Sequence, residues 1–134
     1  MADFESSLRT YLIAQAGVKA VFGSSNTRIY IDKIDESITP TYPFAIIRTV
    51  AEPTDYAHDG ALADRELMQI DTYSTSKTTA SSGAAAIKAA LSGYSGSMGT
   101  IKVGSAFVID TRGQWVPENR TFLRSMDVQF AQNS

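Results

Sequence analysis

The chain has 134 residues, which suits one domain with a single core over residues 1–134, and its 43% hydrophobic and 19% charged residues are typical of a folded globular protein. Its 12 basic and 14 acidic residues are scattered, which excludes a charged run that would attract nucleic acid or a membrane surface. The absence of cysteine excludes disulfides, thiolate nucleophiles and cysteine-based metal sites.

The N-terminal segment predicts an amphipathic helix that Asp3 caps and that ends at Gly17. Its apolar residues recur at spacings of four, three and one, which gives one stripe: Phe4, Leu8, Tyr11 and Leu12. A short second turn over Val18–Phe22 follows. The first five residues are acidic and polar, unlike a secretory signal, so we expect a protein made in the cytoplasm.

Alternating apolar residues predict a strand that begins near Arg28 and a second strand over Phe44–Val50. In the second strand the predicted apolar face consists of Phe44, Ile46 and Val50. Residues 51–64 show no sustained period and include Pro53 and Gly60, which predicts a long hairpin connection. Connections of this length are usually functional or mobile.

The middle of the chain predicts a strand over Arg65–Tyr73 and then a helix that Ser76 caps and that runs to about Leu91. The strand has Met68, Ile70 and Thr72 on one face. The inward face of the helix is rich in alanine, which predicts close packing: Ala80, Ala84, Ile87 and Leu91.

The C-terminal part predicts two more strands. A Gly/Ser turn over Gly93–Gly99 leads into the first, whose alternating apolar residues are Ile101, Val103, Phe107 and Ile109. The connection Arg112–Asn119 leads into the second, whose apolar face is Phe122, Met126, Val128 and Phe130.

These elements predict an α+β fold, a mostly antiparallel five-stranded sheet with two helices on one face. The predicted opposite face is too polar for a second core layer, so it must meet water or another subunit. Its residues are Ala45, Thr49, Gln69, Lys102, Asp127 and Gln129.

No pattern in the sequence predicts catalysis, a metal site or a cofactor. His58 is the only histidine, and nearby carboxylates such as Asp64 and Glu66 lack a spacing that would bring them together around a metal. The glycines of Gly93–Gly99 follow a helix and precede a strand, which is the reverse of a phosphate-binding loop. We therefore interpret the region around His58 as a solvated surface that faces a partner.

The chain resembles the tail completion, or tail terminator, proteins of long-tailed double-stranded DNA phages and prophages. The resemblance covers nearly the entire chain and depends on the order of its segments after the N-terminal helix. These segments are Arg28-Ile29-Tyr30, Pro43-Phe44-Ala45-Ile46-Ile47, Glu52-Pro53, Asp59-Gly60, Met68-Gln69-Ile70-Asp71-Thr72-Tyr73, Ile87-Lys88-Ala89-Ala90-Leu91, Trp115-Val116-Pro117-Glu118-Asn119 and Leu123-Arg124-Ser125-Met126-Asp127-Val128.

The resemblance implies a structural virion protein without catalytic residues or cofactors. Such proteins form a ring, typically of six copies, on the head-proximal end of the tail tube, stop tube growth and offer a surface to the head connector. The implied partners are further copies of the chain, the tail tube protein and the connector, with DNA passing through the ring and no membrane. The chain departs from the family pattern in the long Gly/Ser turn and at Gly113, where a larger residue is expected.

We assign the contact with the tube or with a neighbouring subunit to two segments. Tyr56 is the predicted anchor of residues 51–64, a segment that we expect to be mobile in the free subunit and ordered at the contact. The assigned residues are Asp55, Tyr56, His58, Asp59, Trp115, Glu118, Asn119 and Arg120. Two alternatives stay open: another ring-forming head-tail joining or head-closure protein of the neck, and a small α+β enzyme.

Overall fold

The computed structural model describes residues 4–23, 27–34, 41–51, 54–56, 62–98, 101–117 and 120–132. The helices of this described part are α1 (Phe4–Ile13), α2 (Ala16–Phe22) and α3 (Lys77–Leu91). The strands are β1 (Ile29–Ile31), β2 (Phe44–Ala51), β3 (Thr54–Tyr56), β4 (Leu62–Ser74), β5 (Gly96–Met98), β6 (Ile101–Val116) and β7 (Thr121–Gln132).

The sheet is mixed, with its strands in the order β1-β2-β4-β7-β6-β5. β1 is parallel to β2, the other neighbours are antiparallel, and β3 pairs with β4 outside this order. The predicted α+β class is confirmed. The predicted five strands and two helices are wrong in detail, because β3, β5 and α2 are too short to have a clear sequence period. The short strands exist through pairing with long neighbours.

α1 buries the predicted apolar stripe, because residues four apart lie on the same side of a helix. Phe4, Leu8 and Leu12 are buried, and the Phe4 ring lies 4.9 Å from the ring of Phe130 in β7. The Tyr11 hydroxyl donates a hydrogen bond of 2.7 Å to the carbonyl of Ala90 in α3. α1 is therefore fixed against both the sheet and α3.

α3 begins where the sequence predicts, since the Ser76 side chain accepts a hydrogen bond from the backbone N–H of Thr79. The small residues of its inward face allow a close approach, as predicted. A Cβ at Gly83 would lie 2.8 Å from Cζ of Phe22 and 2.9 Å from Cγ2 of Thr72. The buried residues of α3 are Ala80, Gly83, Ala84, Ile87 and Leu91.

β2 packs against the helices with the face opposite to the predicted one. Ala45 and Ile47 are fully buried and pair with Thr72 and Ile70 of β4, whereas Val50 is 52% exposed. The prediction that placed Ala45 and Thr49 on the outer face is therefore wrong. Both alternating sets of residues in this part of the strand are apolar, so a period of two could not select the face.

β6 also differs from the prediction. Val103 and Ala106 are buried, whereas Phe107 and Ile109 are 60% and 57% exposed, on the side away from the core. The cause is two register shifts, between Val103 and Ser105 and between Val108 and Asp110, each of which reverses the alternation. In β4 and β7 most of the predicted inward residues are buried: Met68, Ile70, Thr72, Met126, Val128 and Phe130. Phe122, which the sequence also placed on this face, is only half-buried.

Candidate interaction surfaces

The sheet face that carries no helix, called here the helix-free face, has paired charges at its centre. The carboxylate of Asp71 lies 3.3 Å from Nη2 of Arg48 and accepts a hydrogen bond of 3.0 Å from Gln69. On β6 and β7, Nη1 of Arg112 lies 3.0 Å from Asp127, and this hydrogen bond raises the pKa of Arg112. The centre of this face is therefore a set of neutralised charges rather than an apolar layer.

Aromatic rings cluster on the helix-free face beside these charges. Phe44 and Tyr73 pair across β2 and β4, and their rings are stacked with centroids 5.0 Å apart. Tyr30 and Tyr42 flank Phe44 at 6.2 and 5.3 Å. Burial, and secondly the charge of Asp71, raises the pKa of Tyr73. The cluster was missed from sequence because only strand register brings Phe44 to Tyr73.

Two large apolar side chains lie exposed on β6, away from the helices. Phe107 pairs with Gln129 of β7, and Ile109 lies at the second register shift. Both residues belong to the apolar alternation that the sequence predicts for this strand. The signal that could have revealed them is the mixed order of Gly104-Ser105-Ala106, which interrupts a strict period of two.

The assigned residues of segment 51–64 lie partly in a hairpin. Asp55 and Tyr56 belong to β3 and pair with Ala63 and Leu62 of β4. The expected connection between β2 and β4 therefore exists, but it contains strand structure where none was predicted. His58 and Asp59 lie outside the described residues. We call this region the β3–β4 end.

The other assigned residues lie at the connection between β6 and β7, called here the β6–β7 end. The Trp115 side chain is 47% exposed, and its ring lies 4.7 Å from the ring of Phe122. Arg120 is exposed, has a φ of 53° and donates its backbone N–H to the carbonyl of Pro117 at 3.3 Å. Glu118 and Asn119 lie outside the described residues.

The two ends are far apart. β4 has 13 residues and pairs with β3 at Leu62 and with β7, beside the β6–β7 end, at Ser74. At about 3.3 Å per residue, these positions are separated by roughly 40 Å. The structure therefore places the described members of the assigned set on two surfaces at opposite ends of one strand.

Within the described ranges, no group of three or more histidine, cysteine, aspartate or glutamate residues could hold a metal ion. None of the helices in those ranges has both the length and the apolar character of a membrane span. The chemical groups that the structure positions are instead surface ion pairs, aromatic rings and exposed apolar side chains.

This fold and these surfaces define an α+β protein whose exposed polar, aromatic and apolar side chains suit contacts with other proteins. Residues 6–132 match the model of the family described as tail completion protein gp17. The chain belongs to this family and is a structural protein of phage tails. The predicted resemblance is confirmed.

The fold also occurs in a solved structure, the virion of a native gene transfer agent particle. A chain of that particle aligns with 98% of this chain and 95% of its own length, with a TM-score of 0.75 and 16% sequence identity. At this identity the similarity demonstrates a shared fold. No curated protein matches the chain significantly.

Proposed function

We propose that the protein forms a ring of six copies on the head-proximal end of the tail tube, ends tube growth and provides the contact to the head connector. The observation that carries this proposal is membership of the tail completion family over residues 6–132. The fold shared with a chain of a gene transfer agent virion supports a place in a particle of this kind. Assembly takes place in the host cytoplasm, and the product is part of the virion tail.

A protein that joins a tube to a connector needs two separate contact surfaces. The β3–β4 end with Tyr56 and the β6–β7 end with Trp115 meet this requirement, because they lie roughly 40 Å apart along β4. One end contacts the tube and the other contacts the connector. Large exposed aromatic side chains such as that of Trp115 are typical anchors of protein interfaces.

The helix-free face supports assembly with further copies. Phe107 and Ile109 are more than half exposed, and large exposed apolar residues of this kind commonly mark a protein contact. Ion pairs such as Arg112 with Asp127 border them and would form the polar rim of such a contact.

Complementation tests the proposal. Particles are produced without the gene for this protein and supplied with the wild type, with Tyr56→Ala/His58→Ala, or with Trp115→Ala/Arg120→Ala. We expect each double variant to change the free energy of unfolding by no more than about 0.5 kcal/mol, the usual range of surface changes, so its melting temperature should stay close to that of the wild type. Electron microscopy should show overlong tubes with one variant and tails of normal length without heads with the other.

A control at an exposed position of α3, Ser82→Ala, should give normal particles. Normal particles from both double variants would refute the two contact surfaces. Normal tube length in the complete absence of the protein, with failure only in joining heads, would favour the alternative neck protein. A collapsed melting temperature of the Tyr56→Ala/His58→Ala variant would instead indicate that this segment is packed core.

A further inference from the structure

An open cavity of about 440 Å³ lies beside Trp115, between the first turn of α3 and the strands β6 and β7. The rings of Trp115 and Phe122, 4.7 Å apart, provide apolar surface. Lys77 and Arg124 give the cavity a positive charge. The complete lining is Lys77, Ala80, Gly113, Gln114, Trp115, Phe122, Leu123 and Arg124, and we call this cavity the basic pocket.

The cations of the basic pocket have no acceptor within the described part of the chain. Nε of Arg124 is buried and makes no hydrogen bond there. Neither Lys77 nor Arg124 is among the cations that pair with a described carboxylate, in contrast to Arg48 and Arg112. A buried donor without an acceptor is unfavourable, so the pocket is suited to a group that accepts hydrogen bonds.

Gly113 provides the space for the guanidinium group of Arg124. A Cβ at this position would lie 2.9 Å from Nη1 of Arg124 and 3.5 Å from its Cδ. A larger residue at this position would push the side chain away. Gly113 therefore leaves the room that Arg124 occupies in the basic pocket.

The chemistry of the pocket identifies its ligand class. Guanidinium and ammonium groups bind carboxylates through short, charge-assisted hydrogen bonds. The apolar wall of Trp115 and Phe122 would exclude water from such a contact and favour an aliphatic neighbour of the carboxylate. The expected ligand is therefore an acidic side chain on a protein surface.

The chain itself carries such a surface, at the β1–β2 side of the sheet. Glu5 of α1 lies beside Asp32, which follows β1, and burial together with the charge of Asp32 raises the pKa of Glu5. Neither carboxylate forms an ion pair with a described cation. Thr49 donates hydrogen bonds to Glu5.

The acidic pair cannot fill the basic pocket of its own chain. β1 and β6 are four strand positions apart in the sheet, and at about 4.8 Å per position they are separated by about 19 Å. A contact between unlike surfaces of identical copies is head-to-tail, and repetition of such a contact closes a ring when the rotation permits. The positions of the two surfaces thus suit neighbouring copies.

We propose that Glu5 and Asp32 of one copy bind Lys77 and Arg124 in the basic pocket of the next copy. This inference rests on the proposed ring and names the contact that holds it together. Lys77 and Glu5 are the best positions to test, because both belong to first turns of helices and neither is in the apolar core.

Charge reversal tests the contact. Lys77→Glu alone and Glu5→Lys alone each place like charges at every contact, so each should weaken assembly by about tenfold or more. The double variant Lys77→Glu/Glu5→Lys restores opposite charges, and an equimolar mixture of the two single variants restores them in alternating copies. Both should recover rings. Lys88→Glu, an exposed change of the same charge in the last turn of α3, should assemble like the wild type.

Light scattering over a concentration series and electron microscopy measure assembly, with and without tail tubes from particles that lack this protein. Circular dichroism verifies that each variant is folded. If the wild type forms rings and both single reversals also form them, the pocket contact is overturned and the ring is not. The same conclusion follows if the charge swap does not rescue the single reversals. A wild type that stays monomeric even with tubes present would overturn the ring itself, and this inference with it.

Discussion

The two faces of the sheet use the same strands for different purposes. On the helix-covered face, residues such as Leu12, Phe22 and Ile70 are almost completely buried. On the helix-free face, Arg48 pairs with Asp71 and Ile109 stays 57% exposed. Because successive residues of a strand point to opposite sides, one strand can supply stability on one face and recognition on the other. Substitutions on the two faces should therefore affect different measurements.

The largest expected difference between the faces is in the free energy of unfolding. Leu12→Ala removes a fully buried side chain and leaves a cavity, so it should cost about 2–5 kcal/mol. Ile109→Ala, a truncation of similar size on the helix-free face, should cost less than about 0.5 kcal/mol. Urea denaturation of the isolated protein measures both. Equal losses would show that the helix-free face is also packed in the free chain.

The close packing of α3 on the core side should produce the next largest effect. In Gly83→Val the added carbons would overlap Phe22 and Thr72, which should cost about 1–3 kcal/mol through overpacking. Ser82→Val adds a branched side chain to the exposed side of the same helix and should stay within about 0.5 kcal/mol. Thermal unfolding of the pair compares them directly. Similar melting temperatures would mean that α3 can move away from the sheet at little cost.

The smallest effect is expected at the border between the faces, where burial and Asp32 raise the pKa of Glu5 above its ordinary value of 4.5. At pH values just above 4.5, the folded chain keeps a proton on Glu5 that the unfolded chain releases. The free energy of unfolding therefore falls as the pH rises through this range. Glu5→Gln removes this loss. From about pH 4 to about pH 7, the variant should gain up to about 0.5 kcal/mol relative to the wild type.

Denaturation at dilutions where the protein is monomeric measures this pH dependence without the contribution of assembly. A wild type that instead gains stability relative to Glu5→Gln with rising pH would show that the carboxylate of Glu5 has a favourable partner within its own chain.

Much of the core could be predicted from the sequence, because its signals are local. The stripe of α1 follows from helical spacing, and the start of α3 follows from the capping side chain of Ser76. In β4 and β7, apolar residues alternate with clearly polar ones, such as Gln69 beside Ile70, so the buried face was evident. The order of these segments was also sufficient to predict the family.

The candidate surfaces depended on pairing between distant segments. Phe44 meets Tyr73 only through the register of β2 and β4, and Phe107 turns outward only because β6 shifts register. Tyr56 and Trp115 were assigned from the sequence to the same kind of contact, whereas the length of β4 separates their strands.

The sequence by itself determined the class of fold, the apolar faces of α1, α3, β4 and β7, and the family, because helical spacing, capping and clear alternation are properties of neighbouring residues. Only the tertiary structure decided the faces of β2 and β6, the division of the contact residues between two ends, and the meeting of Gly113, Trp115 and Arg124 around one pocket. Register, bulges and cavities arise from contacts between residues far apart in the chain, which no local pattern encodes.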